Sequence, residues 1–273
     1  MLEHLIYKNH MNETIEFGKN GVYANIGDLL EYKWDVTSKN NRVSAFSRKV
    51  ETRKLPVVIM CSSDSEGVQT KNRLFEIVEK DVLAKQCGKL YYGDYYMRCY
   101  VTASSKEDYL NNKRYLPLDL TITTDSPYWI KETGISAGVV SDKTLTGLDY
   151  AYDFPYDFTS SFSNLSINNT NFVATDFKIL VYGACANPTI TIGDHMYQVN
   201  CSVNSGEYLT IDSATKAIFV TTASGAVVNQ FKNRNKNSYI FEKIPPGKSS
   251  VSWNGAFGFD IILFEGRSEP KWT

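Results

Sequence analysis

The sequence predicts a mainly β protein in two parts: an N-terminal β domain with one packed α-helix, then a C-terminal β-sandwich. Three observations carry this. The composition is rich in Tyr (18) and Phe (14) as well as Asn, Ser and Thr, with apolar residues in short alternating runs, a pattern that suits pleated strands. One stretch alone shows a helical period. The second half has many short runs separated by turn residues and no helical period, which is how a sandwich reads. At 273 residues the chain is long enough to bury two cores.

Within residues 1–132 the spacing predicts a helix over about 66–87. Ser63 and Glu66 have the S-x-x-E form that satisfies free amides at a helix start. Leu74, Phe75, Val78 and Val82 recur at three- and four-residue steps, with Ile77 at the edge of the stripe, and Gly88 is placed to close the helix in a left-handed conformation. "KLYYGDYYMRCYV" then reads as two aromatic strands joined at Gly93-Asp94 by a type II′ turn. "YLPLDLTITTDSPYWI" supplies a further strand, with Leu118, Leu120 and Ile122 on one face and Asp119, Thr121 and Thr123 on the other. Residues 133–149, from "KETGISAGVVSDKTLTGLDY", are poor in aromatics and read as a linker or β-arm.

Residues 150–273 form the second domain. "NPTITIGDHMYQV" alternates Ile190 and Ile192 with threonines, turns at Gly193-Asp194 and returns through Met196, Tyr197 and Val199. "GEYLTIDSATKAIFV" repeats the device with Leu209 and Ile211, then Ile218 to Val220. "FGFDIILFEG" is apolar on both faces and is expected inside the sandwich.

Several function classes lack their minimum residues. The net charge of -1 is spread along both halves, so neither sequence-specific nucleic-acid binding nor an acidic tail is indicated. Cys61, Cys87, Cys99, Cys185 and Cys201 are odd in number and lack a CxxC pair, which suits buried free thiols. Of the three histidines, His4 and His10 stand alone near the start and His195 sits in an expected turn, so no metal or other cofactor is predicted. No G-x-S-x-G, G-x-x-x-x-G-K-[ST] or H-E-x-x-H occurs. The start, MLEHLIYKNH, is not a signal peptide and no run approaches a membrane span. The expectation is a soluble, non-enzymatic protein made in the cytoplasm.

Two stretches remain as candidates. In "YDFPYDF", Tyr152, Phe154, Tyr156 and Phe158 flank Asp153, Pro155 and Asp157. The rings are read chiefly as core anchors at the entry to the second domain, against an exposed platform for sugar. A carbohydrate module using Trp253, Tyr197 or this cluster is the competing function, and a glycosidase using Asp153, Asp157 or Glu207 trails it. In "KNNRVSAFSRKVETRK", Lys39, Arg42, Arg48, Lys49, Arg53 and Lys54 outnumber Glu51. This reads as a strand pair with charged outward residues, and Arg42, Arg48, Lys49 and Arg53 are the protein-interface candidates.

Taken in order, "RVSAFSRKVETRKLPV", "EKDVLAKQCGKLYYGDYYMRCYV", "DSPYW", "YDFPYDF", "NPTITIGDHMYQVN", "GEYLTIDSATKAIF" and "PPGKSSVSWNGAFGFDIILFEGRSEPKW" resemble the distal tail proteins of long-tailed (siphovirus) bacteriophages with Gram-positive hosts, or prophage copies of them. The likeness spans nearly the whole chain. It implies a galectin-like second domain and a structural role at the virion tail tip: a hexameric ring around the DNA channel, built by the N-terminal domains. The tail tube protein and a tail-tip protein would be partners, with receptor-binding proteins on the C-terminal domains. It implies no catalytic residue, and this chain has no room for the sugar-binding insertions that some relatives carry.

Overall fold

The computed structural model describes residues 5–106, 113–139 and 165–271. The chain divides into two compact units, Met1–Lys131 with Gly266–Thr273 and Glu132–Glu265. Mainly β architecture is what the composition predicts, and it is found. "YDFPYDF", with Asp153 and Asp157, lies outside the described residues, as does His4.

The first unit contains β1 (Leu5–Lys8), β2 (Thr14–Phe17), β3 (Val22–Ala24), β4 (Asp35–Lys39), β5 (Arg42–Ser47), β6 (Glu51–Met60), α1 (Asp64–Ala84), β7 (Gly88–Tyr92), β8 (Tyr95–Ser105), β9 (Tyr115–Thr124) and the start of β10 (Trp129–Ala137). Residues 133–137, expected in a linker or β-arm, are therefore regular strand. The long β8 serves two neighbours. Its first half pairs with β7 and β10, and from Tyr100 on it pairs with β9 across a register shift between Val101 and Ala103. Such a bulge bends the strand, so one element can belong to two curved ladders. β9 in turn pairs along its whole length with β6, whose other edge holds β3.

Helix α1 buries Leu74, Ile77 and Val78 in a core with Leu55, Ile59, Leu90, Met97 and Leu120. Each such side chain contributes roughly 1.5–3 kcal/mol. Ile77, placed at the stripe's edge from sequence, is fully inside, while Val82 is exposed, because the buried stripe runs through Asp81 instead. Ser63 and Glu66 both satisfy free amides at the helix start, as expected. Ser63 accepts from the Glu66 amide at 3.2 Å, but the Glu66 carboxylate reaches one residue further back, to the Ser62 amide at 3.0 Å and hydroxyl at 2.6 Å.

At the other end Lys85, not Gly88, takes the left-handed turn (φ 54). Gly88 begins β7, and its lack of a side chain serves a close approach: a Cβ there would sit 2.6 Å from the Tyr7 hydroxyl oxygen and 2.8 Å from Tyr7 Cζ. That tyrosine donates to the buried Asp81 carboxylate at 2.5 Å. Burial and this bond push the Tyr7 hydroxyl well above the usual tyrosine range, so it stays a neutral donor. The hairpin joining β7 to β8 matches its prediction, with positive φ at Gly93 and Tyr92 opposite Tyr95.

The second unit contains β11 (Ser166–Asn169), β12 (Asp176–Tyr182), β13 (Cys185–Ala186), β14 (Thr189–Ile192), β15 (His195–Gln198), β16 (Ser202–Val203), β17 (Tyr208–Asp212), β18 (Ala217–Thr221), β19 (Val227–Asn229), β20 (Gly247–Trp253) and most of β21 (Phe259–Arg267). One sheet runs β19-β18-β17-β12-β21 and a second β11-β20-β14-β15. Their inner faces meet edge to face: Phe177 of β12 lies 5.0 Å from Tyr197 of β15, and Trp253 of β20 lies 5.0 Å from Phe259 of β21. That is a sandwich core. As the two-sided apolar pattern predicts, Phe259 to Leu263 are all buried. Asp260 among them accepts from the Tyr182 hydroxyl at 2.5 Å.

Replacing Gly88 by Ala drives a methyl into the Tyr7 ring, and overpacking of this kind costs about 1–3 kcal/mol. Urea unfolding of the G88A protein, read by fluorescence, is expected to show that loss. An unchanged midpoint would refute the close-approach reading.

Candidate functional site

Arg42, Arg48 and Lys49 lie on or just beyond one hairpin, and Arg53 stands in β6. Among the described residues β4 and β5 pair only with each other, and the turn between them is Asn40-Asn41, both at positive φ, the asparagine-tolerant geometry of a type I′ turn. Almost every residue from 36 to 47 is exposed on both faces.

The register gives this ribbon a chemistry the sequence hides. Thr37 pairs with Ala45 but Ser38 with Val43, so Ser44 is an extra, bulged residue, and its hydroxyl donates to the Thr37 carbonyl at 3.0 Å. Side chains alternate along a strand, and opposed residues share a face. The bulge therefore moves Val43 to the face of Val36 and Phe46. These three are 58%, 57% and 63% exposed, and Trp34 meets Phe46 edge-on at 6.5 Å. Asp35, Thr37, Lys39, Arg42, Ala45 and Ser47 occupy the opposite, largely polar face. One side of the arm is apolar and uncovered among the described residues.

The base of the arm is clamped. The Arg48 side chain is wholly buried. Its Nε and Nη2 donate to Glu51 at 3.0 and 2.9 Å, and its guanidinium carbon lies 5.9, 5.8 and 5.1 Å from the rings of Tyr32, Trp34 and Tyr128. Nη1 is buried without a hydrogen-bond partner among the described residues, and the ring faces around the guanidinium offset that cost. Arg53 adds a second donor to Glu51 at 2.8 Å and also donates to the Leu29 carbonyl. Burial raises the Glu51 carboxyl, but the bonds from Arg48 and Arg53 outweigh it and hold it below the usual glutamate value of 4.5. A recess of about 380 Å³ lies beside the clamp, lined by Asp28, Glu31, Lys33, Lys49 and Arg53 among others.

The structure thus splits the sequence candidates. Arg42 and Lys49 are exposed, Lys49 making a surface pair with Asp35 at 3.1 Å, whereas Arg48 and Arg53 are spent inside the protomer. Trp34, Val36, Val43 and Phe46 were missed because the bulge breaks their alternation. The signal available was the Asn-Asn turn between two β-prone runs.

Residues considered for other chemistry are engaged elsewhere. Tyr197 is buried and donates to the Glu242 carbonyl at 2.7 Å, and half-buried Trp253 donates to the Phe257 carbonyl at 3.1 Å. Glu207 accepts from the Asn204 amide and side chain, both at 3.0 Å, as a turn cap. His10 Nδ1 lies 2.5 Å from Asp81, and His195 Nε2 2.9 Å from the Tyr239 carbonyl. Among the described residues no group of three potential metal ligands gathers, and no helix is long and apolar enough to cross a membrane. The five cysteines are unpaired, and burial pushes the Cys185 thiol up to about 11.

Comparison with solved structures places this architecture. A chain of the phage P2 baseplate, in its activated conformation with calcium, superposes with a TM-score of 0.65 at 12% identity, covering 98% of this chain and 99% of that one. The fold is one found in phage baseplates and hubs. The strontium form of the same baseplate gives 0.64 at 12% identity over 98% and 99% of the two chains. SPP1 Dit, described as a paradigm of the hub adsorption apparatus in phages infecting Gram-positive bacteria, gives 0.56 at 7% identity over 98% and 100%. No family model matches the sequence, and no curated protein does. The likeness is therefore one of fold, extending over both units.

Removing the clamp's anion leaves two buried guanidinium groups without it. The E51Q protein is expected to lose about 1.5–3 kcal/mol near neutral pH, the range for hydrogen bonds to charged groups. The folded carboxyl is more acidic than the unfolded one, so its contribution is present above about pH 4.5 and fades below it. Denaturant midpoints of wild type and variant should converge as pH falls through that range. A gap independent of pH would contradict the assignment.

Proposed function

We propose that the chain is a structural hub subunit of a phage tail tip, encoded by a phage or a prophage, and that it works through interfaces and performs no catalysis. The observation that carries this is the hairpin: an arm whose apolar face of Val36, Val43 and Phe46 is left exposed by everything described in its own protomer, with Trp34 of the clamp at its root. A two-stranded ribbon is at best marginally stable alone, and an exposed apolar face of this kind marks a protein contact. In a ring each subunit meets the next through a heterologous interface that closes. The hairpin of one first unit laid on its neighbour is such an interface, with Arg42 and Lys49 at its polar rim.

The likeness to baseplate and hub chains along 98% of this chain supports the reading, as does the resemblance of the ordered sequence stretches to distal tail proteins. On that reading six copies form the ring, which joins the tail tube to the tail-tip protein around the DNA channel. The galectin-like second units carry the receptor-binding apparatus outward, in the virions of a siphovirus with a Gram-positive host.

Native mass spectrometry and light scattering across concentration test it, with the expected product a hexamer. Replacing Val43 and Phe46 together by Asp should leave the thermal midpoint nearly unchanged, since both side chains are exposed, while abolishing assembly. A wild-type protein that stays monomeric at all concentrations and in the presence of tail partners would refute the proposal.

A further inference from the structure

The outer edge of the five-stranded sheet in the second unit ends beside a cluster of cations. β19 pairs with β18 through Val227↔Thr221, Val228↔Val220 and Asn229↔Phe219. The Gln230 amide donates to the Ile218 carbonyl, and the Thr222 amide to the Ala226 carbonyl. In an antiparallel ladder bonded and non-bonded pairs alternate. Val228 therefore faces β18, and the main-chain N–H and C=O of Val227 and Asn229 point to the open side. Among the described residues no strand takes them up. Native edges are commonly blocked by charge on the edge itself, yet Val227, Val228 and Asn229 carry none and are exposed.

The charge lies immediately beyond. Phe231 stacks on Phe241 at 6.1 Å, and Tyr239 meets Phe241 edge-on at 6.0 Å. Arg234 lies over Phe231 at 4.1 Å, and Lys216 is 5.3 Å from Phe241 and 5.8 Å from Tyr239. Lys232 and Lys236 flank them in sequence and are exposed. Among the described residues, none of these four cations forms an ion pair. Glu242 is the only acid between residues 230 and 243. The loop is held in place rather than free: the Asn235 amide donates to the Gln198 carbonyl at 3.0 Å, and the Asn200 amide to the Asn233 carbonyl at 2.7 Å.

We propose that this edge binds an extended acidic segment of a partner protein, which adds as a strand beside β19 while its carboxylates meet Lys216, Lys232, Arg234 and Lys236. Strand addition draws affinity from main-chain hydrogen bonds and specificity from side chains, and the unpaired cations supply the charge complementarity that selects an acidic partner. An anionic sugar chain satisfies the cations but cannot pair in register with the amides of Val227 and Asn229, which is why a polypeptide is the favoured ligand. The inference goes beyond the hub reading and does not rest on ring formation.

The test is fluorescence anisotropy on the full chain with a synthetic peptide alternating Thr and Glu. Probes for comparison are its Thr-Lys counterpart, a version N-methylated at alternate amides, and polyglucuronate. The acidic peptide should bind and the lysine peptide should not. N-methylation should weaken binding by about tenfold or more, through loss of ladder hydrogen bonds. Lys232→Glu combined with Lys236→Glu should weaken it by a similar factor. Val227→Pro, which removes only an outward donor and is tolerated at an edge, should do the same. If Val227→Pro fails to fold, the N-methylated peptide probes the same hydrogen bonds on the native protein. Equal binding of the methylated peptide, or full displacement by polyglucuronate at matched charge, would overturn strand addition in favour of a plain polyanion surface. No binding of the acidic peptide, or binding unaffected by the charge reversals, would overturn the site.

Discussion

The ion pair between buried Arg48 and half-buried Glu51 is the constraint on which the architecture of the first unit turns. Arg48 leaves β5 and Glu51 opens β6, so one bidentate contact fixes where the hairpin ends and the core ladder begins. A guanidinium is costly to bury unless paired. This one is held by a carboxylate on one side and by the rings of Tyr32, Trp34 and Tyr128 around it. Tyr32 and Trp34 precede β4 and Tyr128 precedes β10, so the cage draws three separate segments to one point. The arm that rises from this base is thereby aimed, although neither of its faces is packed.

An arm with a stiff root and an uncovered apolar face is a poor monomer feature and a good assembly feature. Order in the ribbon comes from its ladder, its asparagine turn and its root, and the free energy still available lies in the exposed Val36, Val43 and Phe46. Burying such side chains is worth roughly 1.5–3 kcal/mol each, so a partner that covers this face gains several kcal/mol from these three residues. The two units separate the labour in this respect. The first unit carries three exposed apolar side chains on one face of its ribbon, and the second packs Phe177, Tyr197, Phe257 and Phe259 inside a sandwich while leaving cations and a sheet edge at its surface.

Two buried carboxylates serve as structural acceptors. Asp81 is fully buried and takes up Tyr7 and His10. Glu265, also buried, accepts from Thr133 at 2.8 Å and Thr170 at 2.6 Å. Groups saturated in this way hold loops and strands in place.

Local rules carried much of the fold by themselves. Period-two alternation identified β9 and the β14–β15 and β17–β18 hairpins, a two-residue Gly-Asp loop identified the β7–β8 turn, and a three- and four-residue apolar step found the helix. Such signals are legible because each depends on residues close in sequence. What remained hidden depended on long-range contact. Gly88 reads as a helix stop in sequence, but it is a glycine because the Asp81 carboxylate and Tyr7, the latter far away in the chain, occupy the space of its side chain. Arg48 and Arg53 read as surface charge until Glu51 and the Leu29 carbonyl claim them. Val43 joins the apolar face only because one bulged serine shifts the register. Sequence alone determined which residues could be strand, helix or turn; the tertiary structure decided which charges were neutralised inside and which apolar groups were left outside, because desolvation and pairing are settled between segments and not within them.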